Sequence, residues 1–279
     1  MKSIFVWLFI VAVPIWAADP VISSVPGGIV EIPLSPKVAS SKLRLMGHRG
    51  TLCEKDGEKS LLFPVSLDTK AGDYFVYRRL GGRKEKMLRV RIEEKRYAEQ
   101  RLIIKNRRKV NPAPRDMRRI GAESKRKRKD KAFRTERIPD IDFIPPVKGE
   151  ISSPFGLRRF FNGQPRSPHK GIDIAAPEGR PVVAVSDGYV VDAGDFFFSG
   201  NLVFIEHGQG LMTLYAHLSR IDVEPGQRVR KGQRIGLVGK TGRVTGPHLH
   251  FSVLIDGVYV DPTLFVEGPE DGERMNGEE

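Results

Sequence analysis

Five of the six histidines lie beyond residue 160, and four of those fall in three short clusters. The first is Pro168-His169-Lys170-Gly171-Ile172-Asp173, the second Leu214-Tyr215-Ala216-His217-Leu218, the third Gly246-Pro247-His248-Leu249-His250-Phe251. Imidazoles with a carboxylate suit zinc. A catalytic zinc takes three protein ligands and keeps one position open, whereas a structural zinc closes with four, mostly cysteines. Cys53 is the only cysteine, so it forms no internal disulfide and reads as a small buried apolar residue. With more candidates than ligands required, the open, catalytic site is the expectation. The competing reading makes each histidine a surface or satisfied core residue, but three clusters with one facial pattern argue against it.

That pattern comes from strand alternation. Leu249, Phe251 and Val253 share one parity, and His248, His250 and Ser252 the other. Met212, Leu214 and Ala216 stand against Thr213, Tyr215 and His217, while Ile172 and Ile174 oppose Asp173. Three strands are therefore expected to bury an apolar face and send His or Asp to the other. Convergence requires that they be neighbours in one sheet. Residues four apart on a straight strand are about 13 Å apart, and metal–ligand bonds are about 2 Å. The chain must then bend between His169 and Asp173, with Pro168 and Gly171 permitting it and His169 on the loop. His207, in Glu206-His207-Gly208-Gln209-Gly210, reads as structural. The Gly236–Thr241 stretch is not a phosphate loop, because Arg234 stands where that pattern needs glycine. The Gly226–Gly232 turn resembles those of carrier domains but would leave the histidines unexplained.

The elements that hold these residues belong to a chain of 279 residues, enough for two domains of ordinary size. Residues 1–18 read as a secretory signal peptide: a basic start, an apolar run from Ile4 to Ile15 too short for an ordinary span, then Ala17 and Ala18 as cleavage sites. An uncleaved anchor is the competing reading. Residues 19–104 alternate short strands with turn signals, as in Leu88-Arg89-Val90-Arg91-Ile92, and are expected to form a small β-sandwich. Residues 143–266 carry strand signals at short, regular spacing and are expected to form a mainly antiparallel β domain. The fold class is thus mainly β, with a basic, partly helical linker at 105–142 and an acidic, disordered tail at 267–279. From Arg101 to Arg137 sixteen Lys or Arg oppose four acids, a net of +12 in a chain of net charge +13. A solvated helix or linker accounts for this; attachment to an anionic wall polymer or membrane surface is the functional alternative. Aromatic residues are nearly absent there, so nucleic acid is not an expected partner.

The motifs resemble those of the lysostaphin-like zinc endopeptidases that carry a LytM domain. The matching residues are His-x-Gly-Ile-Asp at 169–173, Tyr-x-His-Leu at 215–218 and Gly-Pro-His-Leu-His-Phe at 246–251, with Ile151–Gly156 and Gly239–Gly242 as further signatures. The N-terminal region resembles the leading β domain of Gram-negative members. The resemblance spans roughly residues 149–265. It implies one zinc per chain, bound by His169, Asp173 and His250, with His217 and His248 as catalytic histidines. Tyr215, Asn162 and Arg159 are expected to line the substrate groove. It implies an exported, periplasmic or cell-envelope hydrolase that cuts peptide cross-links between peptidoglycan stem peptides through a zinc-activated water. None of the five positions is replaced, in contrast to relatives that have lost zinc ligands and only activate wall amidases. A non-catalytic wall-binding or amidase-activating protein is the alternative, and self-blocking of the groove by the N-terminal domain or linker a third reading. The sequence carries no signal for oligomeric state.

Overall fold

The computed structural model describes residues 21–34 and 43–266, so the signal segment at 1–18 and the acidic tail at 267–279 lie outside the described residues. The fold is mainly β, as expected. The N-terminal part is a sandwich. One sheet runs Val21–Ser24, Arg83–Ile92, Gly72–Leu80, Leu43–Leu45, His48–Arg49, and the other Ile29–Pro33, Glu58–Pro64, Thr51–Lys55. Between them Val30, Ile32, Leu61 and Phe63 of one sheet meet Leu45, Val76, Val90 and Ile92 of the other, all nearly inaccessible. The alternation at 88–92 produces this: Val90 and Ile92 point inward, Arg89 and Arg91 outward.

The C-terminal part is built on a larger sheet in the order Glu150–Ser153, Ile172–Ala175, His248–Ile255, Leu211–Leu218, Gly200–Gly208, Gly188–Phe196, Arg228–Val229. One face packs on a small sheet of Pro181–Val183, Arg234–Leu237 and Arg220–Ile221, giving a core that includes Val182, Ile235, Val203, Tyr215, Leu249, Phe251 and Val253. The other face carries Phe196, Leu202, Phe204, Met212, Leu214, Ala216 and Leu254. The helix Pro114–Lys131 lies against this second face. Its basic residues do the packing: Arg126 pairs with Asp192 and Arg119 with Asp195, and the Lys127 ammonium sits 4.7 Å from the Phe196 ring centroid. Burial pushes the Lys127 amine down to about 8.

One grouping differs from expectation. The strand Glu99–Leu102, assigned by sequence to the sandwich, pairs in parallel with Arg158–Phe161 of the C-terminal part. Its short run with a single apolar residue, Leu102, carried no signal of that partner. Cys53 is fully buried. Among the described residues no helix is long and apolar enough to cross a membrane.

Candidate metal centre

Three strands that carry the histidine and aspartate motifs are neighbours, so alternation becomes convergence. Asp173 stands opposite His250, and His250 opposite Ala216, in antiparallel registers. His169 precedes the strand, on a loop whose backbone is tied to Leu157 and Gly156, and folds back over it. The bend depends on Gly171: a Cβ there would lie 2.3 Å from the Phe251 carbonyl oxygen and 2.5 Å from Ser252 Oγ. His169 Nε2, Asp173 Oδ1 and His250 Nδ1 end up 3.0, 3.0 and 2.8 Å from one another.

The partners of the remaining atoms test whether a cation fits. His169 Nδ1 donates to the Pro154 carbonyl at 2.8 Å, so its Nε2 carries a lone pair. His250 Nε2 lies 3.0 Å from Ser252 Oγ, and donation there leaves Nδ1 as a second lone pair. Asp173 Oδ2 accepts from Arg159 Nη2 at 2.7 Å, leaving Oδ1 turned to the histidines. Three acceptors thus crowd together at spacings that bonds of about 2 Å to one ion would span. The Arg159 guanidinium, 2.7 Å from Oδ2, favours the charged form of Asp173 against the cost of its burial. Burial, against the pull of Asp173, lowers the His250 imidazole to about 4. Both groups are therefore in their metal-binding forms at neutral pH. The set fits a divalent cation.

Two more imidazoles flank it. The His217 and His248 ring centroids are 5.0 Å apart, and His217 is 5.9 Å from His250. His217 Nδ1 donates to the Thr241 carbonyl at 2.8 Å and His248 Nδ1 to the Gly246 carbonyl at 2.9 Å. Each is thereby fixed in the tautomer that leaves Nε2 as a base. Burial, then repulsion from His248 and His250, keeps the His217 pKa well below its ordinary value.

Strand parity placed His217 with Tyr215, opposite Ala216, and this is corrected. Between the pairs Val203–Tyr215 and Asn201–Leu218 the register slips, and His217 has φ of +66°. A bulge with one residue in the left-handed region re-aims the side chain. His217 turns to the His250 face, while Tyr215 stays on the core face opposite Phe251. Tyr215 is fully buried, its Oη accepting from Val185 N at 3.1 Å, so it does not line a groove. Asn162 is also redirected: its side chain accepts from Ile104 N and donates to Ile104 O, clasping the chain leading to the helix. Arg159 stands behind Asp173 rather than along a groove. His207 is structural, donating from Nδ1 to the Asp187 carbonyl, with Nε2 2.7 Å from Thr213 Oγ1. Sequence reasoning missed Ser252 as a partner of His250, although it shares His250's parity, and missed Ser153 and Gln100. Ser153 lies in a motif already noted; Gln100 carried no signal.

Two imidazoles and a carboxylate converge here, with two further histidines beside them, in a group that could hold a metal ion. The comparisons agree. Residues 167–262 match the profile of Peptidase family M23. A crystal structure from Pseudomonas aeruginosa assigned to peptidase M23 superposes with a TM-score of 0.70 at 31% identity, covering 86% of this chain and 94% of that one. The chain belongs to peptidase family M23. It is 50% identical over 111 residues to the peptidoglycan DD-endopeptidase ShyA of Vibrio cholerae, covering 39% of this chain and 26% of that protein. It is 48% identical over 118 residues to the DD-carboxypeptidase/endopeptidase Mpg of Neisseria meningitidis, covering 42% and 27%. The chain thus spans about a quarter of the length of these curated relatives.

Proposed function

We propose that this chain is a zinc metalloendopeptidase that hydrolyses peptide cross-links of bacterial peptidoglycan. The observation that carries the reading is the mutual approach of His169, Asp173 and His250 within 3.0 Å, flanked by two histidines whose Nε2 atoms are free. The names of the relatives supply the substrate class. His169, Asp173 and His250 would hold the zinc, an ion that supplies Lewis acidity to a water and to the scissile carbonyl. His217 and His248 supply the proton chemistry: one Nε2 lone pair takes a proton from the attacking water and returns it to the leaving amine, and the other imidazole, once protonated at Nε2 as well as Nδ1, donates to the developing oxyanion. Arg159 holds the carboxylate in place. On this reading the chain is exported to the cell envelope, where the substrate lies, and residues 1–18 are its signal.

Mass spectrometry of muropeptides from purified sacculi tests the reading. The zinc-loaded protein should convert cross-linked dimers into monomers, and chelation should stop the conversion. Dimers left intact by zinc-loaded protein across several wall types would overturn it.

A second reading, self-blocking by the linker, draws support from one contact set. Arg166 Nη2 donates to the Val110 carbonyl at 3.0 Å, while Arg243 Nη1 donates to the Lys109 carbonyl at 3.4 Å. The segment Arg107–Val110 is so clamped between the hairpin before His169 and the loop that anchors His217. Arg166→Ala in the full chain should raise turnover if the clamp restrains access; an unchanged rate removes the reading. Wall or membrane attachment has its own support, since Arg115, Arg118, Lys125 and Lys129 are exposed along the helix at spacings of three, seven and four residues. Salt-sensitive co-sedimentation with sacculi tests it, and binding indifferent to salt would sink it.

A further inference from the structure

Asp173 turns Oδ1 to His169 and His250 and gives Oδ2 to Arg159 at 2.7 Å. Arg159 is itself tied down. Its Nε donates to Gln100 Oε1 at 3.0 Å and its Nη2 to Ser153 Oγ at 3.2 Å. Gln100 Nε2 donates to the same Ser153 Oγ at 3.1 Å. A guanidinium only donates, so Gln100 must present its oxygen to Arg159 and its amide nitrogen to Ser153. The orientation of that amide follows from its neighbours.

The members of this relay come from separate segments. Gln100 is the direct partner of Arg159 in the parallel register of Glu99–Leu102 and Arg158–Phe161, and Ser153 is the partner of Asp173 in the edge strand of the large sheet. Gln100 lies 67 residues before the start of the family match at 167 and on the far side of the basic helix. Backbone pairing alone could hold the strand Glu99–Leu102; the side-chain relay gives it a second task.

We propose that Gln100 is a positioning residue of the metal centre, holding Arg159 so that Asp173 offers one fixed oxygen to the ion. This rests on the reading of His169, Asp173 and His250 as metal ligands. A free arginine side chain carries substantial rotamer entropy, which Gln100 and Ser153 reduce before the carboxylate is engaged. Groups that orient a metal ligand typically contribute about 10–100-fold to affinity. The strand before the linker is then part of the working peptidase, and a cut before Phe143 removes a support of the metal site as well as the Arg107–Val110 clamp.

The test is zinc affinity of the full chain, read by competition with a chromophoric chelator, for wild type, Gln100→Ala, Gln100→Glu, Arg159→Gln and the double variant Gln100→Ala/Arg159→Gln. Gln100→Ala should weaken binding about 10-fold while the unfolding midpoint of the metal-free protein stays put. Gln100→Glu keeps an acceptor for Arg159 Nε and should recover most of the loss. In the Arg159→Gln background, Gln100→Ala should cost nothing further, since its effect passes through that side chain. Wild-type affinity in Gln100→Ala, or an equal loss in both backgrounds, would overturn the proposal. Failure of the wild-type chain to take up zinc would instead overturn the metal reading beneath it.

Discussion

Asp173 and His250 face each other as paired residues of two antiparallel strands, and Asp173 Oδ1 lies 2.8 Å from His250 Nδ1. The pairing register therefore assembles two of the three acceptors before any side chain is adjusted. A slip of one residue would put Leu249 or Phe251 opposite Asp173 and send His250 to another partner. The apolar side chains that forbid the slip, Ile172, Ile174, Leu249 and Phe251, are all buried in the core on the other face. Core packing and the approach of the Asp173 and His250 acceptors are fixed by the same register.

Gly171 is the point where that arrangement tolerates no side chain. A methyl group there would press on the Phe251 backbone and on Ser252 and His250, the very residues around the third acceptor. Gly171→Ala should lower stability by about 1–3 kcal/mol and weaken zinc binding at least about 10-fold. Denaturant titration of the metal-free protein and chelator competition read the two effects separately. Unchanged zinc affinity would show that the close approach is unimportant to the site.

His217 stands beside the acceptor triad without joining it, its ring centroid 5.9 Å from that of His250. His217→Ala should reduce kcat on cross-linked muropeptides by about 10²–10⁴-fold and leave zinc content at one per chain. Metal analysis beside a rate assay separates the roles. Loss of zinc along with activity would make His217 a ligand instead.

Tyr215 sits in the shared motif but belongs to the core. Removing its hydroxyl leaves Val185 N–H without its buried acceptor, at a cost of about 1–2 kcal/mol. Tyr215→Phe should therefore lower the unfolding midpoint with KM unchanged. A KM rise without destabilisation would return Tyr215 to the substrate groove.

His207 should make the fold acid-sensitive. Burial lowers its imidazole to about 4, below an unfolded value near 6.5, so the unfolded chain binds the extra proton first. Its contribution is complete above about pH 6.5 and declines as the pH falls toward 4. The wild type should lose about 2–3 kcal/mol more than His207→Gln between those pH values. Parallel unfolding curves for the two proteins across that range would refute this.

Much of the centre was legible because it is local. Period-2 alternation in His248–Ile255 separates His248 and His250 from Leu249 and Phe251 whatever the rest of the chain does. The need for a bend between His169 and Asp173 followed from strand rise alone, and Gly171 supplied it. Alternation failed at His217, where a bulge and a left-handed backbone moved one side chain across the sheet. Nothing in Tyr215-Ala216-His217-Leu218 announces that bulge, because it arises from the register against Gly200–Gly208.

The sequence by itself determined the candidate ligand types, most of the strand faces and the basic character of the linker, since each depends on residue type and short-range period. Tertiary structure alone decided that the motif strands are neighbours, that Tyr215 faces the core and that Asn162 clasps Ile104. It also decided that Gln100, 73 residues before Asp173, supports that carboxylate through Arg159. Those outcomes depend on which strand edges meet and how long side chains find partners across them. No local period encodes either.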